Sequence, residues 1–168
     1  AISVVGVTKQ PRFIMLASFV ALNVGTTALV ARFKGQGNKK DAELVTGQTV
    51  MLSISLAFLL SLLGILFAKP MVRVIGAGTD ILDEASAYFR ILMFGFIPTA
   101  LPISISALLR GVGDTKLAMK YNITANLVNI VFNYLLIYGK FGFPRLEVRG
   151  AAIASVIGYT VACAMAIW

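Results

Sequence analysis

Apolar residues fill most of this chain, and the polar ones fall into two kinds of place. Some gather in short clusters between apolar runs; others recur inside the runs at helical spacing. The runs predict five membrane-spanning helices, at about 13–33, 47–67, 85–109, 117–138 and 150–168, each near the ~20 apolar residues that cross a bilayer core. Between the second and third, Val72 to Glu84 reads as a short polar connection after the stop at Lys69-Pro70. The fold class is therefore an all-α membrane protein.

Inside the fourth run the polar residues are most regular. Asn122, Asn126, Asn129 and Asn133 recur at steps of four, three and four. At about 100° per residue they share a fan of roughly 60° on one helical face. Amides facing hydrocarbon would cost several kcal/mol each, so this stripe faces other helices, as glue, or a water-filled cavity. The third run holds Pro98 and Pro102 one turn apart, after Gly95. Each proline removes a backbone donor, which predicts a kinked helix and a candidate hinge. The fifth run carries small residues at Gly150, Ala154, Gly158, Ala162 and Ala166, a spacing that suits close approach of another helix.

Composition agrees with membrane burial: 58% of residues are hydrophobic, 13% charged, and the mean hydropathy is +0.88. The net charge of +8 would suggest nucleic acid in a soluble protein, but here the bases punctuate run ends, where anionic headgroups lie. Their distribution between the two faces is nearly even, so charge does not orient the chain. Ala1 begins the chain, and Trp168 ends it directly after a run just long enough to span; the expectation is a piece of a longer protein. Lys9 and Arg12 follow the first apolar residues, unlike a signal peptide.

Candidate chemistry is sparse. The chain has no histidine, which excludes His-ligated metal and a Ser-His-Asp triad within it, and the lone Cys163 has no partner for an internal disulfide. Asp41, Glu43, Asp80, Asp83, Glu84, Asp114 and Glu147 all fall in loops or at helix ends, so no mid-membrane carboxylate is present to bind a proton or Na⁺. Neither enzyme chemistry, a metal site nor a cofactor is expected. Two loops share a pattern, Gly35-x-Gly37-Asn38-x-Lys40 and Gly111-x-Gly113-Asp114-x-Lys116, each after an arginine. No strand precedes either one, as phosphate loops require; glycines that end helices in the left-handed conformation account for both. Two spans separate them, which puts both on one membrane face.

Several motifs stand in order: Thr27-Ala28-Leu29-Val30-Ala31-Arg32 with Gly35 and Gly37; Leu109 to Lys116; Asn129-x-x-x-Asn133-Tyr134-x-x-Ile137-x-Gly139; Gly142-Phe143-Pro144; and Gly150-Ala151-Ala152-Ile153-Ala154-Ser155. In these the chain resembles the MATE (multidrug and toxic compound extrusion) transporters over nearly its whole length. The resemblance implies helices two to six of the six-helix amino-terminal lobe, in proteins with two such lobes. It also implies antiport: cationic or amphipathic drugs leave as Na⁺ or H⁺ enters, by alternating access, across the plasma or inner membrane. The partners so implied are the bilayer, a cationic or amphipathic small molecule, and the missing first helix and second lobe of the same polypeptide. Members that couple through this lobe carry Asn and, four residues later, Asp on the fifth helix. Asn129 matches the first, but Asn133 replaces the acid. Ser155 keeps the hydroxyl of the family's Gly-Ala-Ala-x-Ala-Thr motif. The substrate or cation pathway is thus expected at Asn122, Asn126, Asn129, Asn133 and Ser155, with the hinge at Pro98 and Pro102. Two further readings are a flippase for lipid-linked sugars from the wider superfamily, which would favour a strongly cationic cavity, and a membrane scaffold without transport.

Overall fold

The computed structural model describes residues 2–76, 78, 81–139 and 146–167. Asp80, Lys140, the Gly142-Phe143-Pro144 motif, Arg145 and Trp168 lie outside the described residues. Seven helices follow one another: α1 (Ile2–Gly35), α2 (Lys39–Leu66), α3 (Ala68–Val74), α4 (Leu82–Phe94), α5 (Phe96–Gly111), α6 (Thr115–Tyr138) and α7 (Glu147–Ile167). Every described element is helical, as the hydropathy pattern predicts.

The helices overrun the apolar runs at their ends. α1 starts eleven residues before Phe13 and takes Pro11 into its interior, and α2 starts at Lys39, ahead of the apolar run from Gly47. Polar residues at a helix end cost little where headgroups and water meet them, so hydropathy marks the buried length and not the helix. The expected connection, Val72 to Glu84, is helical at both ends, as far as Val74 in the short α3 and again from Leu82 in α4. Among the described residues, α1, α2 and α7 are long and apolar enough to cross a membrane, and α4 with α5 makes a fourth span if the bent pair is one. α6, the fifth expected span, has the length at 24 residues, but its asparagines and Lys116 and Lys120 dilute its hydropathy.

The third expected span is broken into α4 and α5, which meet at an angle of 49°. The break is at Gly95, not at either proline. A Cβ on Gly95 would run into the side chain of Val156, so only glycine lets α7 pass this close. Pro98 is the third residue of α5, where no carbonyl of that helix waits for its N–H, and Pro102 alone lies inside the helix. The expectation that both prolines strip α5 of donors is corrected accordingly. Near the break, Ser61 Oγ of α2 donates to the Met93 carbonyl at 2.7 Å and Thr99 Oγ1 to the Gly95 carbonyl at 2.8 Å.

α5 runs through the centre and touches α1, α2, α6 and α7. Around its first turns lies the main core, with Phe19, Phe89, Met93 and Phe96 all at 0 or 1% exposure. Phe19 and Phe96 meet edge to face at 5.7 Å, a favourable ring geometry. α2 enters this core with a stripe of small and hydroxyl residues, Thr49, Ser53, Ala57, Ser61 and Gly64. α6 sits apart, packed on α7 and α5.

The two matching loops end their helices as expected. Gly37 and Gly113 have φ of 70° and 83°, and the residue after each caps the next helix: Asn38 accepts from the Asp41 N–H and Asp114 from the Leu117 N–H, both at 3.3 Å. Lys34 Nζ of the first loop donates to the Val112 carbonyl of the second, which joins them on one face.

Candidate functional site

The small-residue face of α7 makes the site by letting α6 come close. Gly150, Ala154, Gly158 and Ala162 are all buried. A Cβ on Gly150 would stand 2.7 Å from the Leu136 carbonyl oxygen, and one on Gly158 2.8 Å from that of Ala125. Backbone thus lies on backbone, and the side chains flanking the seam are forced together. On α6 those flanking side chains are asparagines; on α7 they are Ser155 and Tyr159.

A cleft of about 170 Å³ opens beside the seam, lined by Asn122, Asn126, Asn129, Ser155, Tyr159 and the seam residues Ala125 and Gly158. Its bonding runs in a chain. Asn133 Nδ2 donates to Asn129 Oδ1 at 2.8 Å, Asn129 Nδ2 to Ser155 Oγ at 3.2 Å, and Ser155 Oγ to the Ala151 carbonyl at 3.0 Å. Asn133 Oδ1, at the head of the chain, is buried without a partner. Asn122 and Asn126 instead tie their Nδ2 groups to backbone carbonyls one turn back, at 2.7 and 2.8 Å, which leaves their acceptor oxygens available to a ligand.

The structure therefore brings together four of the five expected pathway residues around one cleft, Asn122, Asn126, Asn129 and Ser155. Asn133 is outside the lining and reaches it through Asn129. Asn122 and Asn126 are exposed, Asn129 and Asn133 half-buried. Pro98 and Pro102 lie elsewhere, on α5. Tyr159 was not expected; one turn beyond Ser155, it shares the serine's face, and that spacing was the available signal. The Arg12 guanidinium lies 5.9 Å from its ring centroid, so a cation of α1 reaches the edge of the cleft. Tyr121 also escaped notice. Fully buried, its hydroxyl bonds Ser106 Oγ and the Pro102 carbonyl, which fixes α6 against α5.

The chemistry on offer is that of neutral amides and hydroxyls. Such groups coordinate cations through oxygen and hydrogen-bond polar ligands, but none exchanges a proton near neutral pH. Among the described residues, acids stand at helix starts, and no group of three or more His, Cys, Asp or Glu could hold a metal.

Comparison with known proteins places this all-helical fold in a family. The family model described as MatE matches residues 1–135. The chain belongs to the MatE family of transporters. It is 31% identical over 158 residues to a probable multidrug resistance protein NorM of Thermotoga maritima, covering 94% of this chain and 34% of that protein. This MatE chain thus spans about a third of the length of the curated relatives it matches. An inward-facing and an outward-facing structure of a multidrug resistance MATE family transporter superpose on it with TM-scores of 0.85 and 0.87, at 26 and 27% identity. They cover 96 and 98% of this chain, which in turn covers 36% of each.

Proposed function

We propose that this MatE chain supplies part of one lobe of a multidrug efflux antiporter, which exports cationic or amphipathic drugs through a cell membrane as Na⁺ or H⁺ enters. The observation that carries the reading is the Asn133–Asn129–Ser155 chain beside the asparagine cleft, a line of uncharged oxygen ligands between α6 and α7, the latter apolar and long enough to span. Hydrocarbon would penalise it, and a water-filled substrate path would use it. Alternating access by rigid lobes is supported by the nearly equal likeness to inward-facing and outward-facing relatives: one lobe geometry fits both. A flippase for anionic sugar-lipids is disfavoured because the cleft is lined by amides and not by Lys or Arg.

Within this antiporter the helices of this chain recognise substrate, and the coupling ion depends on carboxylates outside it, since Asn133 cannot be deprotonated. Drug transport by the full-length polypeptide in proteoliposomes tests the division. Asn133→Ala is expected to weaken drug affinity several-fold and to leave the ion dependence of transport unchanged. Asn133→Asp introduces a titratable group and with it a pH dependence of drug uptake. Loss of ion stimulation by Asn133→Ala, with drug affinity intact, would overturn the reading.

A further inference from the structure

Arg12 is placed unlike any other base of the chain. Among the described residues every other lysine and arginine is exposed, whereas Arg12 is half-buried. It lies one turn from each of Thr8 and Met15, both buried, so it stands on the side that α1 turns towards the bundle. Its guanidinium sits over the Tyr159 ring of α7, 5.9 Å from the centroid, and not out among headgroups. No carboxylate among the described residues holds it; the ion pair found there is that of Lys69 with Asp83.

Such a contact could serve as plain adhesion between helices, and the packing speaks against that. α1 packs on α2, α3, α4 and α5, whereas α7 packs on α4, α5 and α6. There is no packed seam between α1 and α7 for the pair to secure, so the arginine's long stem bridges two helices at the rim of the asparagine cleft. What draws it is the ring: an aromatic face is negative, and a half-buried cation without a counter-ion is attracted to it. The same ring lines the cleft beside Asn122 and Asn126, whose amide oxygens remain free to accept. An aromatic face next to neutral oxygens suits an organic cation, the ring attracting its charge and the amides its N–H groups.

We infer that the Tyr159 ring is the seat for the positively charged group of the substrate, and that Arg12 holds this seat as a tethered competitor until substrate displaces it. The inference rests on the reading of the cleft as a substrate path and adds its specificity-determining pair. A ring face holds one cation at a time, and two positive charges a few ångströms apart repel. A neutral compound gains nothing from the ring that would move Arg12, whereas a cation does, so the pair selects for charge. Displacement also unties α1 from α7, the one bond that joins them across the rim.

The test is equilibrium dialysis of radiolabelled phenyltrimethylammonium against the purified full-length polypeptide. Arg12→Gln is expected to bind this cation about fivefold more tightly, the worth of one cation–π contact. In a Tyr159→Ala background the same substitution should bring no gain, because no ring is left to vacate; in a Tyr159→Phe background, which keeps the aromatic face, the gain should return. A gain that persists in full with Tyr159→Ala would be relief of charge repulsion alone and would overturn the inference. Unchanged or weaker binding by Arg12→Gln, with a lowered melting temperature, is what helix adhesion predicts and would overturn it too. A separate arm guards the underlying reading. If Asn126→Ala leaves binding of the probe unchanged both alone and with Arg12→Gln, the cation binds elsewhere, and the cleft as substrate path falls together with its selecting pair.

Discussion

The group formed by α1, α2, α4 and α5 and the pair formed by α6 and α7 both bury polar side chains among apolar ones, with different chemistry. In the first group the polar residues are hydroxyls, Asn23 apart, and they are bonded across helices: Thr26 to Thr49, Ser53 to Ser104, Ser61 to the Met93 carbonyl. A hydroxyl so engaged is quiet, and Phe19, Phe89 and Phe96 pack around it. In the pair the polar residues are amides, which have more donors and acceptors than their neighbours use. Asn133 Oδ1 stays unpaired, and Asn122 and Asn126 bond by their nitrogens only. The first arrangement holds helices together; the second leaves amide oxygens unbonded, the capacity on which the proposed substrate path rests.

The sharpest way to break the comparison is to part α6 from α7. Gly158→Leu would force a side chain into the Ala125 carbonyl, which cannot give way as a flexible side chain can. Overpacking of this kind costs about 1–3 kcal/mol or more, so the variant should lose several degrees of melting temperature and its drug binding together. A smaller effect separates the two regions. Ser53→Ala leaves Ser104 without its bond and should cost roughly 0.6–1.7 kcal/mol, the range of such contacts between membrane helices, with drug affinity unchanged. If Ser53→Ala instead weakens binding with stability intact, as read by titration and thermal melting of the purified transporter, the hydroxyl network belongs to the substrate path and the contrast fails.

Much of this division was legible beforehand. The four asparagines declare one face of α6 because period 3.6 is preserved, and the fifth run's small residues declare its seam for the same reason. What the sequence could not say is which polar face opens and which is sealed. Thr49, Ser53 and Ser61 also stand at helical spacing, yet their burial follows from the aromatic residues that other helices bring, a tertiary fact. Tyr121 was hidden because a single tyrosine beside a glycine-rich loop has no period. Asn23 lies within the first run, and that its amide has no hydrogen-bond partner is visible only when every neighbour is in place.

The kink shows the same limit. A proline pair is a strong local signal, and the bend does fall in the expected span, but close passage of Val156 at Gly95 sets where it lies. The two prolines should therefore differ. Pro98→Ala restores an N–H in the first turn of α5 that no carbonyl of that helix awaits, so stability and transport should change by no more than about 0.5 kcal/mol, or roughly twofold. Pro102→Ala restores a donor inside the helix, opposite the Pro98 carbonyl, and straightens the segment that Tyr121 and Ser106 hold at the Pro102 carbonyl. It should raise melting temperature slightly while slowing drug transport, the signature of a helix that must flex between access states. Equal effects of the two substitutions on the transport rate, measured in proteoliposomes beside thermal melts, would mean that position within α5 is irrelevant and that neither proline is a hinge.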